Sequence, residues 1–177
     1  PECHFQSFAE VVRLPRLVGD AHVRICRYFM YQKGRAWIEL NMEHLKHNIR
    51  QFRRLLPAGC ALMPAVKANA YGHGAALVSK ALQEQGIKSF CVASAAEGIE
   101  LRRAGISGEI LVLGYTHPRQ FGELAAYRLT QTVVDASYAR ELQQDGRHFT
   151  VHVGIDTGMH RLGERWDNLE EIVKIFQ

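Results

Sequence analysis

The feature that most constrains the fold is a repeat of short apolar stretches, each followed by a helical pattern, at intervals of about 20–25 residues. The apolar stretches are rich in Val, Ile and Leu, which is typical of parallel strands that helices cover on both faces. The predicted strands are 62–66, 89–93, 109–113, 130–134 and 149–155. The predicted helices are 74–85, 95–104, 118–127, 137–144 and one that starts near residue 167. The pattern therefore predicts five consecutive βα units.

The connections and the segment ahead of the repeat agree with this interpretation. Glycines in the helix-to-strand connections, where glycine commonly ends a helix, are Gly86, Gly105, Gly108 and Gly146. Ahead of the repeat, alternation over 36–40 predicts a strand, and Asn41 can cap a helix over 43–56. Residues 1–34 have weak periodicity and form an unassigned leader that could be disordered. We therefore predict one incomplete domain over 35–177.

The spacing of the units suits a (β/α)8 TIM-type barrel, which takes about 250 residues. Five units cannot close such a barrel, because two parallel edges would stay unpaired and half of the interior would face water. The predicted fold class is thus α/β, a partial barrel of about five βα units preceded by a strand and a helix. We expect the N-terminal part of a larger barrel, as a fragment or truncated product; a compact rearrangement of the five units is the alternative.

Composition argues against several classes of protein. The net charge of +4 is concentrated in the first third of the chain, where a basic segment could meet nucleic acid or an anionic membrane. A solvated helix face and an unstructured tail explain it more simply, so we predict no nucleic-acid partner. The four cysteines lack CxxC spacing, which argues against a disulfide scaffold or zinc module and fits a reducing cytoplasm. The chain contains no run of 18 apolar residues, so no membrane segment is predicted.

One lysine lies at the carboxyl end of the first strand of the repeat. Lys67 belongs to the motif Pro-Ala-Val-Lys-Ala-Asn-Ala-Tyr-Gly-His-Gly of residues 64–74. Parallel α/β folds carry their chemistry at this end of the strands. A lysine amine there can bond covalently to a carbonyl if its surroundings lower its pKa. A solvated loop lysine is the alternative. Tyr71 could line the same site or be a half-buried aromatic side chain at the strand end.

A second motif covers the fifth strand and the turn after it. Residues 151–163 read Val-His-Val-Gly-Ile-Asp-Thr-Gly-Met-His-Arg-Leu-Gly. Together with residues 64–74 and 35–48, this stretch closely resembles the alanine racemase family, whose motifs read AVKANAYGHG and DTGMxRLG. Within that family the chain looks most like the vancomycin-resistance-type serine/alanine racemases. The resemblance covers residues 35–177 and only the N-terminal portion of the family's proteins.

The resemblance implies a pyridoxal 5'-phosphate-dependent racemase that interconverts L- and D-alanine, or serine, for cell-wall peptide synthesis. It implies that Lys67 holds the cofactor covalently and then acts as the base on the D face of the substrate. It also implies that Tyr71 contacts the cofactor near its phosphate or shapes the pocket. Arg161 would bind the phenolic oxygen of the cofactor and the carboxylate of the substrate. A salt bridge from Arg161 to Asp156 or Glu164 is the alternative for that arginine.

The same resemblance sets further expectations. Family members work as homodimers, and their second catalytic base is a tyrosine from the partner's β domain. Full-length relatives can be membrane-anchored, whereas this chain is expected to be cytoplasmic and, by itself, inactive. Many members carry a carbamylated lysine where this chain has Gly154, so Arg161 needs another means of orientation. Asp156 and Thr157 are expected to order the turn that presents Arg161.

Two other functions stay open. One is a pyridoxal-phosphate barrel protein that does not racemise, either a decarboxylase or a cofactor carrier; the motifs at 71–74 and 156–163 argue against it. The other is a truncated product with no activity of its own. No metal site is predicted, because the pairs His44–His47 and His152–His160 lack the companion carboxylates or cysteines that such sites use.

Overall fold

The computed structural model describes residues 38–177, and the chain divides into two compact units, 1–45 and 46–177. Asn41 caps the start of helix α1 (Met42–Leu55). The Oδ1 atom of Asn41 accepts the backbone N–H of Glu43 at 3.0 Å and that of His44 at 3.1 Å. The predicted strand over 36–40 begins outside the described residues. Its described part, 38–40, is irregular, because a strand needs a paired neighbour and no described strand lies beside it.

The second unit is built on a parallel sheet. Its four strands, in order along the chain and in space, are β1 (Ser89–Val92), β2 (Glu109–Val112), β3 (Thr130–Val133) and β4 (Val151–Val153). Leu111 of β2 lies opposite Cys91 on one side and Thr130 on the other, and both pairings are parallel. This arrangement confirms the predicted succession of βα units.

Helices connect the strands and bury them. They are the short turn α2 (Lys67–Tyr71), α3 (Ala75–Glu84), α4 (Ala95–Arg103), α5 (Phe121–Ala126), α6 (Ala136–Asp145) and α7 (Leu169–Ile175). A 3₁₀ turn over Pro118–Gln120 precedes α5. Apart from α2, they match the predicted helices to within a few residues. Among the described residues, no helix is both long and apolar enough to cross a membrane.

The core lies between the sheet and these helices. Strand residues on both faces are buried, and Phe90, Val92, Ile110 and Val112 are fully enclosed. Leu101 of α4 packs into the same interior, also with no exposed surface. Burial on both faces is what a parallel sheet covered by helices requires. The apolar runs in the sequence predicted this correctly.

The first predicted strand, 62–66, is reduced to a single bridge. Ala65 pairs in parallel with Cys91, because the N–H of Cys91 donates to Pro64 O at 2.9 Å and that of Val66 donates to Cys91 O at 2.8 Å. In a parallel ladder, the next bond toward the N-terminus would need an N–H on Pro64. Proline has none, so the ladder ends there.

The fifth predicted strand, 149–155, is interrupted at Gly154. It splits into β4 and β5 (Ile155–Asp156), and β5 pairs in parallel with an additional strand, β6 (Glu164–Arg165). The N–H of Gly154 donates to Val133 O in β3 at 2.9 Å, while its carbonyl accepts the N–H of Glu164 at 3.0 Å. Gly154 therefore links β3 on one side to β6 on the other, and so connects the four-stranded sheet to the two-stranded sheet of β5 and β6.

Candidate active site

Two segments at the carboxyl ends of parallel strands carry the predicted site residues. Lys67 and Tyr71 lie in the first, which follows the bridge between Ala65 and β1. Arg161 lies in the second, a connection over 157–163 between β5 and β6 that we name the Arg161 loop. Both segments leave the sheet at the edge where α/β folds place their chemistry.

The backbone after Lys67 is left-handed. Ala68, Asn69 and Ala70 have φ of 50, 54 and 53° with ψ of 47, 44 and 47°, and Tyr71 has φ of 54°. We name residues 68–71 the left-handed turn. Each non-glycine residue in this conformation costs roughly 1–2 kcal/mol, so surrounding contacts must stabilise the turn. The sequence predicted only a turn into the next helix, because Ala, Asn and Tyr give no clear indication of a left-handed run.

Two side chains fix the left-handed turn to its surroundings. The carboxylate of Glu97, in the first turn of α4, accepts the N–H of Ala68 at 2.8 Å and the N–H of Ala93 at 2.7 Å. Asn69 Oδ1 accepts the N–H of Ala75 at 2.7 Å, which fixes the start of α3. Sequence reasoning missed Glu97 as a site residue. The spacing Ser-x-x-Glu at 94–97 indicates only a helix cap.

Lys67 itself is half-buried, and its amine forms no ion pair with any described residue. It lies close enough to Cys91 for its charge to act on the thiol. Burial raises the pKa of Cys91, Glu109 raises it further, and the positive charge of Lys67 lowers it. Tyr71 is 64% exposed, so its phenol is open to solvent rather than half-buried at a strand end. The unpaired amine of Lys67 is chemically suited to bond an aldehyde.

The Arg161 loop is short for its geometry. A parallel crossover ordinarily takes a dozen or more residues, whereas the loop joins β5 to β6 within 157–163. Asp156 makes this possible, because its Oδ1 accepts the N–H of Gly158 at 3.0 Å and of His160 at 2.9 Å. Its Oδ2 lies 2.9 Å from Nδ1 of His160. Asp156 therefore orders the loop as expected. Thr157 is exposed, and its expected role in ordering the same loop stays a prediction.

The same contacts set the charge of Asp156. Donation from the N–H of His160, then from that of Gly158, lowers the pKa of Asp156 to about 2, against the opposing effect of burial. The carboxylate is therefore ionised at neutral pH, with its lone pairs directed to the loop backbone. This makes it an anchor for the loop rather than a proton carrier.

Arg161 is exposed and forms no hydrogen bond or ion pair with a described residue. Asp156 is bound to His160, and Glu164 accepts a hydrogen bond from Asn168 at 3.1 Å. The alternative interpretation, a salt bridge from Arg161 to Asp156 or Glu164, is therefore wrong for this structure. The guanidinium stays available for an anionic ligand, a task that suits its permanent planar charge.

Gly154 and Gly163 pack against each other at the base of the Arg161 loop. Gly163 has φ of 102°, and a Cβ placed there would lie 2.8 Å from Gly154 O. A Cβ at Gly154 would lie 3.2 Å from Thr132 Cγ2 and 3.3 Å from Val133 O. Gly154, which stands where many family members carry a carbamylated lysine, is thus closely packed against β3. A larger side chain there would require Thr132 to shift.

The histidines near the sheet have protein partners. His152 Nε2 lies 3.1 Å from Glu109 Oε1, and His160 is bound to Asp156. Within residues 38–177, no group of three or more His, Cys, Asp or Glu side chains could hold a metal ion. The sequence could not predict the His152 contact, because its partner lies two strands away.

The available groups suit pyridoxal phosphate in kind. The amine of Lys67 can bond its aldehyde, and the guanidinium of Arg161 and the phenol of Tyr71 can bind its anionic oxygens. None of these three side chains is engaged in an ion pair with another described residue. The donor set therefore fits the cofactor that the sequence motifs imply.

Comparison with known proteins identifies the family. Residues 40–177 match the family model for the alanine racemase N-terminal domain. The alanine racemase of Carboxydothermus hydrogenoformans is 43% identical over 146 residues, which are 80% of this chain and 39% of that protein. The serine/alanine racemase of Enterococcus gallinarum is 41% identical over 142 residues, covering 80% and 20%. The structure of Clostridium difficile 630 alanine racemase in complex with cycloserine has a TM-score of 0.73 at 36% identity, covering 78% and 40%.

The match thus spans most of this chain and about two fifths or less of each of these relatives. The family's N-terminal domain is an α/β fold of the TIM-barrel type, which confirms the predicted partial barrel. Both the left-handed turn and the Arg161 loop lie within the matched residues. The chain belongs to the alanine racemase family, of which it contains the N-terminal domain region.

Proposed function

We propose that this chain provides the lysine-bearing part of a pyridoxal phosphate-dependent amino-acid racemase that acts on alanine or serine. The observation that carries the proposal is Lys67. This half-buried residue follows the bridge of Ala65 to β1, and its amine has no ion-pair partner among the described residues. Because the chain spans 39% of the Carboxydothermus alanine racemase, the activity proposed is that of the whole protein.

Racemisation requires that the α-proton leaves one face of the amino acid and that a proton returns to the other. When bound, pyridoxal phosphate supplies the electron sink that makes this proton removable. Lys67 would hold the cofactor through Nζ and then accept or return the proton on the D face of the substrate.

Arg161 and Tyr71 would supply binding and orientation. The guanidinium of Arg161 would hold the substrate carboxylate and the phenolic oxygen of the cofactor, since it keeps its charge at any relevant pH. The hydroxyl of Tyr71 would bond near the cofactor phosphate. Asp156 would keep Arg161 in place by fixing the loop backbone on its N-terminal side, at His160.

For the whole protein, we propose a cytoplasmic homodimer that supplies D-alanine or D-serine for cell-wall peptide synthesis. Identity of 41% to the serine/alanine racemase of Enterococcus gallinarum supports serine beside alanine as a substrate. Resemblance to the vancomycin-resistance-type racemases supports a role in resistance to that antibiotic. Alanine and serine differ by one hydroxyl group, so a direct comparison of rates is needed to choose between them.

Covalent labelling tests the role of Lys67. The purified chain is mixed with pyridoxal phosphate, its absorbance is read near ~420 nm, and the bond is reduced with borohydride before peptide mapping. We expect the label on Lys67 and its loss in Lys67→Met. Lys80→Met is the matched control, because Lys80 is exposed on α3 and should leave the label in place. Labels scattered over many lysines would refute the proposal.

An activity measurement separates the racemase from the other candidates. L-alanine and L-serine are incubated with the cofactor-loaded protein, and chiral chromatography follows the D-enantiomers while released carbon dioxide is measured. D-enantiomer without carbon dioxide supports racemisation. Carbon dioxide release would identify a decarboxylase instead, and labelled protein without either product would identify a cofactor carrier or an inactive product.

A further inference from the structure

The carboxylate of Glu97 joins the carboxyl ends of two neighbouring extended segments. Its Oε1 accepts the N–H of Ala68, directly after Lys67, at 2.8 Å. Its Oε2 accepts the N–H of Ala93, directly after β1, at 2.7 Å. Such short distances are typical of N–H groups that donate to an ionised acceptor. Glu97 thus ties the backbone beside Lys67 to the adjacent strand from a position 29 residues away in sequence.

This arrangement goes beyond helix capping. In a capping box, the glutamate accepts the backbone N–H of the N-cap residue, which here is Ser94. Ser94 does cap α4, because its Oγ lies 3.4 Å from the N–H of Glu97. The carboxylate of Glu97, however, accepts the N–H groups of Ala93 and Ala68. A residue that only capped α4 would not need the bond to Ala68.

Ala68 is also the first residue of the left-handed turn. Non-glycine residues keep such a backbone only where their surroundings over-determine it. On one side of Lys67, the N–H of Val66 donates to Cys91 O at 2.8 Å. On the other side, the N–H of Ala68 donates to Glu97. The backbone of Lys67 is therefore held between two hydrogen bonds, one residue away in each direction.

We propose that Glu97 is a positioning residue, which directs the side chain of Lys67 by fixing the backbone on its C-terminal side. The inference rests on the proposed covalent role of Lys67 and adds a partner to it from the next βα unit. Glu97 contacts neither the cofactor nor the substrate and acts through the N–H of Ala68.

Substitution of Glu97 by Gln tests the inference. An amide keeps one oxygen and replaces the other with an NH2 donor, so one of the two N–H groups, that of Ala68 or that of Ala93, would face a donor. Ser94→Ala is the matched control, because it removes the side-chain cap of the same helix and leaves the carboxylate in place. Each variant of the complete chain is titrated with pyridoxal phosphate and reduced with borohydride. The label on Lys67 is then compared with the label on Lys80.

We expect Glu97→Gln to need roughly tenfold more pyridoxal phosphate for half-maximal label on Lys67, as the loss of a hydrogen bond to a charged acceptor implies. Ser94→Ala should label as the wild type does. A second measurement uses the chain without cofactor: backbone amide exchange by NMR. The N–H of Ala68 should exchange faster in Glu97→Gln. The N–H of Leu101, which is buried in α4, the helix that carries Glu97, should keep its protection.

The outcomes separate this inference from the proposed function. If wild-type Lys67 is labelled and neither Glu97→Gln nor Glu97→Asp changes its labelling or the exchange of Ala68, the positioning role is overturned and the proposed function stands. An equal loss of label in Ser94→Ala would also overturn it, because helix stability would then explain the effect. A wild-type chain without label on Lys67 would overturn both. If Glu97→Gln does not fold, Glu97→Asp takes its place, since its carboxylate is one methylene too short to reach Ala68.

Discussion

Replacement of Gly163 by Ala should destabilise the second unit through a contact that the structure locates. Gly163 has φ of 102°, a conformation that costs an L-residue roughly 1–3 kcal/mol. An added Cβ would lie 2.8 Å from Gly154 O and 3.1 Å from the backbone nitrogen of Asp156. Overpacking of this kind costs roughly 1–3 kcal/mol more. The methyl group would also strain the bond from Glu164 N–H to Gly154 O, which is 3.0 Å long.

Gly158→Ala is the control that isolates the contact. Gly158 also has positive φ, 142°, but a Cβ there would meet nothing within 4 Å. It therefore has the backbone cost of about 1–3 kcal/mol without the overpacking. The free energy of unfolding of Gly163→Ala should be lower than that of Gly158→Ala by about 1–3 kcal/mol.

Urea denaturation followed by circular dichroism measures this difference. With a slope of about 2 kcal/mol per molar urea, the midpoint for Gly163→Ala should lie roughly 0.5–1.5 M below that for Gly158→Ala. Equal midpoints for the two variants would refute the reasoning. They would mean that the contact between an added Cβ at Gly163 and Gly154 O does not lower the free energy of unfolding.

Three further predictions concern single side chains. Because the pKa of Asp156 is lowered to about 2 from 3.8, the stability that its ionised form contributes is present above about pH 4 and lost as the pH falls toward 2. Asp156→Asn should remove this part of the acid dependence in urea unfolding. Burial raises the pKa of Tyr138 from 10.0 to about 12, so its contribution is present below pH 10 and lost as the pH rises through 12. Tyr138→Phe should remove that alkaline dependence, and an unchanged profile in either variant would contradict the assignment. Tyr71→Phe should change the free energy of unfolding by less than about 0.5 kcal/mol, because the side chain is exposed, yet weaken pyridoxal phosphate binding in an absorbance titration.

Elements whose determinants are local could be predicted from the sequence. Helix α6 is an example: Asp135 Oδ1 accepts the N–H of Tyr138 at 2.7 Å at its start, and Gly146 ends it with φ of 77°. Both residues lie within one turn of the helix end that they define, so their types alone predict the boundaries. Strands β1 and β2 were equally accessible, since burial on both faces gives them largely apolar sequences.

Features that depend on distant partners could not be predicted in this way. The strand predicted over 62–66 contributes only one bridge, because Pro64 faces β1 and has no N–H to donate. Nothing in residues 68–71 indicates a left-handed backbone, since alanine and tyrosine disfavour it. The strand β6 was missed because two residues carry no usable periodicity, and the hydrogen bond before its pairing with β5 goes to Gly154, which lies between β4 and β5.

The two candidate site segments are held in the same way, although only one of the two arrangements could be predicted from the sequence. Each is a strained connection after a parallel extended segment, and in each a carboxylate accepts the backbone N–H of at least one strained residue. In the Arg161 loop, the carboxylate is that of Asp156, whose Oδ1 accepts the backbone N–H groups of the residues two and four positions later. That is the local pattern of an aspartate at a turn, so its role could be expected from sequence.

At Lys67 the carboxylate comes from Glu97, in the next βα unit, and only the fold brings it to Ala68. The positions of Lys67 and Arg161 thus depend on interactions of different range. A substitution at Asp156 should disturb only its own loop, whereas a substitution at Glu97 should also affect the junction of β1 with α4 through Ala93. Backbone strain at such sites persists only because these anchors over-determine it. Loss of either anchor should therefore release the strained segment while the core of β1 and β2, where Phe90, Val92, Ile110 and Val112 are fully buried, keeps its packing.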